Sequence, residues 1–181
     1  MTRLEDDLVR LRPLCREDAD GDYPGWLNDP QVCRYNSHGA VRYTRDMALA
    51  YIDRVAGSDT DRVFAIICKE TGRHIGNISL QNISHRDKSA EFAILIGETG
   101  QYNKGYATRA ARLLVRYGFE ELGLFRIYCG TSDRNTAMIK LAGKLGMRCE
   151  GRRVEAFFKN GEYVDILEFG ILRKEYKFAH E

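Results

Sequence analysis

The order of periodicities along the chain predicts a mixed α/β protein built around one sheet. Three observations carry this. Three short β-branched or alternating segments follow one another between Arg62 and Gly97; the pattern then switches to a 3.6-residue period from Gly105 to Leu122; and the chain closes on two strand-like segments joined by Asn160-Gly161. Strands in series with short connections read as an antiparallel meander, and an amphipathic helix after them needs a sheet face to cover.

Taken in order, Leu8 to Leu14 alternates until Pro13, which suits a first strand that ends there. Glu17 to Asp29 is compatible with helix but interrupted by Gly21, Pro24 and Gly25, so a bent or two-piece helix carrying Trp26 and Leu27 is expected. Thr44 is the expected N-cap of a second helix ending near Gly57. The meander strands are Arg62 to Lys69, His74 to Asn82 and Ser89 to Gly97, with a Thr71-Gly72 turn. In the helix from Gly105 to Leu122, Ala107, Ala111, Leu114, Val115, Phe119 and Leu122 share a face, and Arg109, Arg112, Arg116 and Glu120 lie opposite. Leu124 to Thr131 reads as a strand, and Ser132 or Asp133 as the cap of a helix from Arg134 to Leu145 stopped by Gly146. The last strands are Val154 to Lys159 and Glu162 to Leu172, around the strongest two-residue turn signal.

The chain has 181 residues, 44% of them hydrophobic, with Lys+Arg 28 against Asp+Glu 26 for a net charge of +2. A single domain over 1–181 is expected, with no nucleic-acid partner, because the bases are interspersed with acids. No apolar run approaches a membrane span, and Met1 to Arg10 carries acids where a secretory signal has an apolar stretch. Five widely spaced cysteines without C-x-x-C suggest neither disulfides nor a metal site. The expected location is therefore the cytoplasm, as a monomer or homodimer.

Chemistry concentrates between Gly97 and Thr108, where a glycine-dense loop opens directly into a helix. Free first-turn N–H groups and the positive end of the helix dipole suit a phosphate. The loop is no P-loop, since Lys104 precedes Gly105, and G-x-G-x-x-G finds no match. The stretch Tyr102-Asn103-Lys104-Gly105-Tyr106-Ala107-Thr108-Arg109-Ala110 resembles the acetyl-CoA loop of the GNAT superfamily of N-acetyltransferases, in its branch of ribosomal-protein and small-amine enzymes. Trp26-Leu27-Asn28-Asp29-Pro30, Ser89-Ala90-Glu91-Phe92, Asn135 to Met147 and Asn160 to Asp165 extend the likeness in the family's order. The central part also looks like spermidine acetyltransferases, the ends less so, and the sequence shows no acidic cluster dense enough to demand a polycation, which lowers spermidine as the expected acceptor without excluding it.

The resemblance implies a six- or seven-stranded, mostly antiparallel sheet with about four helices, splayed between Ala90 to Gly97 and Leu124 to Thr131. Pantetheine would bond to the backbone around Phe92, Ala93, Ile94 and Leu95. The pyrophosphate would rest on amides from Tyr102, Asn103, Lys104, Gly105, Tyr106 and Ala107, with Thr108 and Asn135 as further cofactor contacts. Tyr102 stands where the family often has Gln or Arg, and Asn103 replaces a common glycine; Asn tolerates φ > 0, so phosphate binding should survive.

Acetyl transfer to an amine needs a neutral nucleophile, since an alkyl amine of pKa about 10.4 is only about 0.04% neutral at pH 7. Glu91 is the candidate base: alternation sets it with Ala93 and Leu95, apart from Ala90, Phe92, Ile94 and Ile96, as an isolated carboxylate among small and apolar neighbours. The family often has a glutamate here acting through water. The tyrosine many relatives carry as the acid corresponds to Ala142, so Tyr128 or Tyr163 are the candidate substitutes, or a water. Trp26, Asn28, Asp29, Tyr35, His38 and His85 are expected to floor an acceptor pocket, with Tyr163 beside it. The expected reaction takes acetyl-CoA and a small-molecule amine, with amino sugars or nucleotide-linked amino sugars slightly preferred because the Trp26 to Pro30 segment resembles amino-sugar acetyltransferases. A protein N-terminal α-amine, which the same segment also suits, and a non-catalytic acyl-CoA-binding module are the alternatives.

Overall fold

The computed structural model describes residues 4–176. Seven strands form one sheet in the order β1-β2-β3-β4-β5-β7-β6. The strands are β1 (Val9–Pro13), β2 (Arg62–Cys68), β3 (His74–Ser84), β4 (Ser89–Ile96), β5 (Arg126–Ser132), β6 (Arg148–Lys159) and β7 (Glu162–Leu172). Every neighbouring pair is antiparallel except β4 and β5, which run parallel.

The four helices are α1 (Tyr23–Trp26), α2 (Arg45–Ala56), α3 (Tyr106–Glu120) and α4 (Thr136–Lys144). They divide between the two sheet faces. Leu114, Val115 and Phe119 of α3 and Leu141 and Ala142 of α4 are buried in one core with Ala90, Phe92, Ile127 and Cys129. Trp26, Ala48, Ile52 and Val55 build a second core with Val63, Ala65 and Ile67, against which Leu95 packs. The alternation of β4 thus sends Phe92 to the first core and Glu91, Ala93 and Leu95 to the other face.

Local signals account for the boundaries. Thr44 accepts from Met47 N–H at 3.3 Å and Gly57 ends α2, as the sequence predicts. Asn160 and Gly161 both have positive φ, 53° and 86°, the requirement of a type I′ hairpin turn. Other edges move. The cap of α4 is neither Ser132 nor Asp133 but Asn135, whose Oδ1 accepts from Met138 N–H at 3.2 Å, because Asp133 N–H is still bonded to Asp165 of β7. Strand β5 begins at Arg126 rather than Leu124, whose N–H bonds to Gly118 at the end of α3. Strand β6 reaches back to Arg148 through two register shifts, which blur the alternation that sequence reading depends on.

Candidate active site

The site is a gap in the sheet. Strands β4 and β5 pair only at Ser89↔Arg126, Ala90↔Ile127 and Glu91↔Tyr128, and beyond that they part. The other edge of β4 stays paired to β3 from Glu91 to Ile96, so the stretch Phe92 to Leu95 keeps one backbone edge turned to the gap. A bared strand edge is satisfied by a ligand that carries amides in an extended arm.

At the open end of the gap the chain makes a short 3-10 turn, Thr99–Gln101, which the sequence does not announce, and then enters α3. Asn103 (φ 62°) and Gly105 (φ 89°) both take the left-handed conformation, so the asparagine that replaces the family's glycine adopts the glycine backbone. Gly105 is the N-cap of α3 and supplies no side chain, leaving the first-turn amides to an incoming anion. Thr108 is half-buried in that turn, and Lys104 Nζ rests on Gln101 Oε1 at 3.2 Å. The side chains of two loop residues turn inward: Tyr102 donates to Ile96 O at 3.2 Å, and Tyr106 is buried against Cys68. Cys68, the first cause, pushes the Tyr106 phenol up to about 12. Both side chains are thus tied into the protein and serve the loop's shape.

Glu91 and Tyr128 are the last paired residues before the strands part, and in parallel pairing opposite residues share a face. Glu91 is half-buried rather than enclosed, and its Oε2 accepts from Asn82 Nδ2 at 2.9 Å. Asn82 reaches it from a left-handed position (φ 50°) in the irregular register of β3 and β4, a partner no sequence pattern marks. The Tyr128 phenol is raised above its ordinary value by burial first and then by Glu91 and Glu168, with Arg126 opposing. Glu168, on β7, is a third group at this place that sequence reading missed.

The acceptor residues fare unevenly. Trp26 is buried, T-shaped against His74 at 4.9 Å, and a Cβ on Gly97 would fall inside its indole. Its edge still lines a cavity of about 420 Å³ with Asp22, Asp29, Arg73, Gly97 and Gly100. Asn28 is consumed as a staple: Nδ2 donates to Pro24 O and Tyr43 O, and Oδ1 accepts from Tyr43 N–H. Asp29 Oδ1 caps the next turn at Gln31 and Val32. Asn135 donates to Thr131 Oγ1 as well as capping α4. His85 is not with the others. It sits in the β3–β4 turn, past the paired end of the gap, bonded to Asp59 O at 3.2 Å. Tyr163 is 62% exposed and stacks on Phe158; alternation from Phe169 puts it on the face of α3 and α4, away from Glu91.

Residues 33–43 form a strap across the open end. On one side Cys33 Sγ donates to Trp26 O and Tyr43 is stapled by Asn28; on the other, Lys159 Nζ, beside the turn of the β6–β7 hairpin, donates to His38 O at 2.5 Å. Tyr35, under the Arg34 guanidinium, lies along the strap.

A parted parallel strand pair ending at an anion-ready helix start defines a protein that holds an acyl-carrier thioester. The acetyltransferase (GNAT) domain family matches residues 9–148, and the chain belongs to that family. The chain is 34% identical over 174 residues to spermidine N(1)-acetyltransferase of Escherichia coli (strain K12), covering 96% of this chain and 90% of that one. The likeness to spermidine acetyltransferases therefore runs well beyond the central part. Spermidine N-acetyltransferase from Vibrio cholerae, solved in complex with CoA and spermine, superposes with a TM-score of 0.86 at 26% identity, over 94% of this chain and 99% of that one. Mycobacterium smegmatis RimJ, in complex with CoA-disulfide, shares the fold with a TM-score of 0.83 at 20% identity, over 92% of this chain and 83% of that one. The protein is an acetyl-CoA-dependent N-acetyltransferase acting on an amine.

Proposed function

We propose that the acceptor is a small aliphatic amine carrying more than one positive charge, a diamine or polyamine. The observation that carries this is the strap at 33–43, tied to Asn28 at one end and to Lys159 at the other, which obstructs an extended peptide, together with two carboxylates, Glu91 and Glu168, near enough to Tyr128 to raise its phenol. The polar atoms of Asn28 and one oxygen of Asp29 are used within the fold, which leaves fewer groups there for the hydroxyls of an amino sugar. The similarity to spermidine acetyltransferases supports the same acceptor class.

In the reaction, pantetheine lies along Phe92 to Leu95 and the diphosphate on the amides from Tyr102 to Ala107. Glu91 stands five residues before Ile96, roughly 17 Å back along β4 at about 3.3 Å per residue, a span suited to an extended pantetheine arm. The thioester then arrives where the strands part. Glu91, held by Asn82, accepts the ammonium proton through a water, and the neutral amine attacks the carbonyl. The tetrahedral intermediate collapses with cleavage of the C–S bond, and the departing CoA thiolate, of pKa about 8.5, takes up the proton that the new amide nitrogen loses; the raised Tyr128 phenol stays protonated throughout and donates a hydrogen bond as charge develops. Ala142 is fully buried in the α3–α4 core and contributes nothing to this step.

The test is a CoA-release assay with polyamines, amino sugars and short peptides as acceptors. Turnover confined to the polyamines is expected; efficient turnover of a peptide α-amine, with none of the polyamines, would overturn the reading.

A further inference from the structure

We propose that Glu168 sets acceptor specificity by holding the second ammonium of the acceptor while the first reacts beside Glu91. This rests on the polyamine reading above and names the residue that would enforce it.

Glu168 lies on β7 directly opposite Gly130 of β5 and Gly151 of β6. Each of its cross-strand neighbours is a glycine, so the two directly opposed positions carry no side chain, and Arg153 and Ile166 are what flank the carboxylate. A Cβ on Gly130 would come within 3.2 Å of Glu168 Oε2 and 3.3 Å of Oε1, which places the carboxylate over β5, on the gap side of its own strand. Glycine inside a strand weakens it, and such positions recur where another molecule approaches the backbone closely.

The register fixes the relation to the reacting centre. Glu91 pairs with Tyr128, Tyr128 with Gly170, and Gly130 with Glu168, so Glu91, Tyr128 and Glu168 share one face, with β5 between the two carboxylates. Two interstrand spacings of about 4.8 Å and a two-residue offset along β5 of about 6.6 Å set the two backbone positions roughly 12 Å apart, a span taken up by two carboxylate side chains and the acceptor between them. A linear diamine of about four carbons bridges such a gap. Arg153 Nε donates to Glu168 Oε1 at 2.6 Å, leaving Oε2 over Gly130, and the Arg153 side chain is 61% exposed. An ion pair this open costs little to exchange for an ammonium.

The experiment compares a linear four-carbon diamine with the monoamine of the same length, in the wild type, Glu168→Gln and Arg153→Gln, with thermal unfolding of each as a folding control. For the diamine, Glu168→Gln should raise KM by about tenfold with kcat changed less than about twofold, the loss of one hydrogen bond to a charged group. For the monoamine, KM should not move. Arg153→Gln should lower the diamine KM, because a competitor for the carboxylate is gone; a pair that is merely structural predicts that the two variants act alike. Unchanged diamine KM in Glu168→Gln, equal effects on both amines, or parallel behaviour of the two variants would overturn the inference and leave the polyamine reading standing. No turnover of either amine by the wild type would overturn both.

Discussion

In the proposed mechanism Glu91 takes the proton of the acceptor amine and Tyr128 keeps its own. A primary amine goes from about 0.04% neutral at pH 7 to about 4% at pH 9, so a base matters less as the pH rises. Glu91→Gln should therefore cut the rate about 100-fold at pH 7 and much less at about pH 9, with acetyl-CoA affinity nearly unchanged. Equal losses at both pH values, in steady-state assays, would remove Glu91 from the base role. Burial and the neighbouring Glu91 hold Tyr128 above its ordinary value, so the phenol keeps its proton through the working range. Tyr128→Phe should lower kcat about tenfold and leave the pH–rate profile without a lost limb below about pH 10. A limb near pH 8 that vanishes in the variant would show a phenol that ionises too early for this account.

At the level of elements, the proposed cofactor site is the junction of β4, the 3-10 turn and α3. Its backbone requires a left-handed residue at Gly105, at the mouth of a helix whose first amides face the ligand. Gly105→Asp brings a carboxylate to where a diphosphate is to sit; calorimetry should detect no acetyl-CoA uptake, and unaltered affinity would count against the loop assignment. Gly97 has a different reason, since a methyl group there would collide with Trp26. Gly97→Ala should cost about 1–3 kcal/mol in denaturant unfolding by overpacking. No loss would mean that the indole has room to move.

For the molecule as a whole, one buried ionic cluster joins β1 to the helical cover near the site. Asp18 takes both guanidinium nitrogens of Arg12 at 2.8 and 2.6 Å and the N–H of Cys15 at 2.9 Å, and lies 3.2 Å from His74 Nδ1. Burial, the largest single influence, pushes the Asp18 carboxyl up, but the hydrogen bonds from Arg12, His74 and Cys15 together outweigh it and hold the group far below the ordinary range. A carboxyl depressed in the fold lends stability above its unfolded pKa of about 3.9, and that share is lost as pH falls below it. Asp18→Asn should cost about 3–5 kcal/mol near neutral pH, the penalty for breaking a buried pair, and should flatten the decline of stability below about pH 4. Acid titrations of wild type and variant with the same slope would show that the cluster does not drive acid unfolding.

Much of this fold is written locally. Thr44 and Gly57, the 3.6-residue face of α3 and the Asn160-Gly161 turn each specify their element through backbone preferences of a few residues, and the loop from Tyr102 to Thr108 announces an anion site by the same means. Those preferences, with the likeness they carry to acetyltransferases, determined the class of chemistry and the place of Glu91. What the tertiary structure decided is which distant groups meet. Asn82 reaches Glu91 through a register irregularity, the strap is tied to Lys159 from across the gap, and Glu168 comes over Gly130 from the adjoining strand β7. His85, Asn28 and Tyr163 drop out for the complementary reason: each has the right chemistry, but turn position, a hydrogen-bonding partner or strand parity directs it elsewhere. Short-range preferences act over a helical turn or a strand pair, whereas acceptor recognition is assembled by contacts between residues far apart in the chain, and only packing brings those into range.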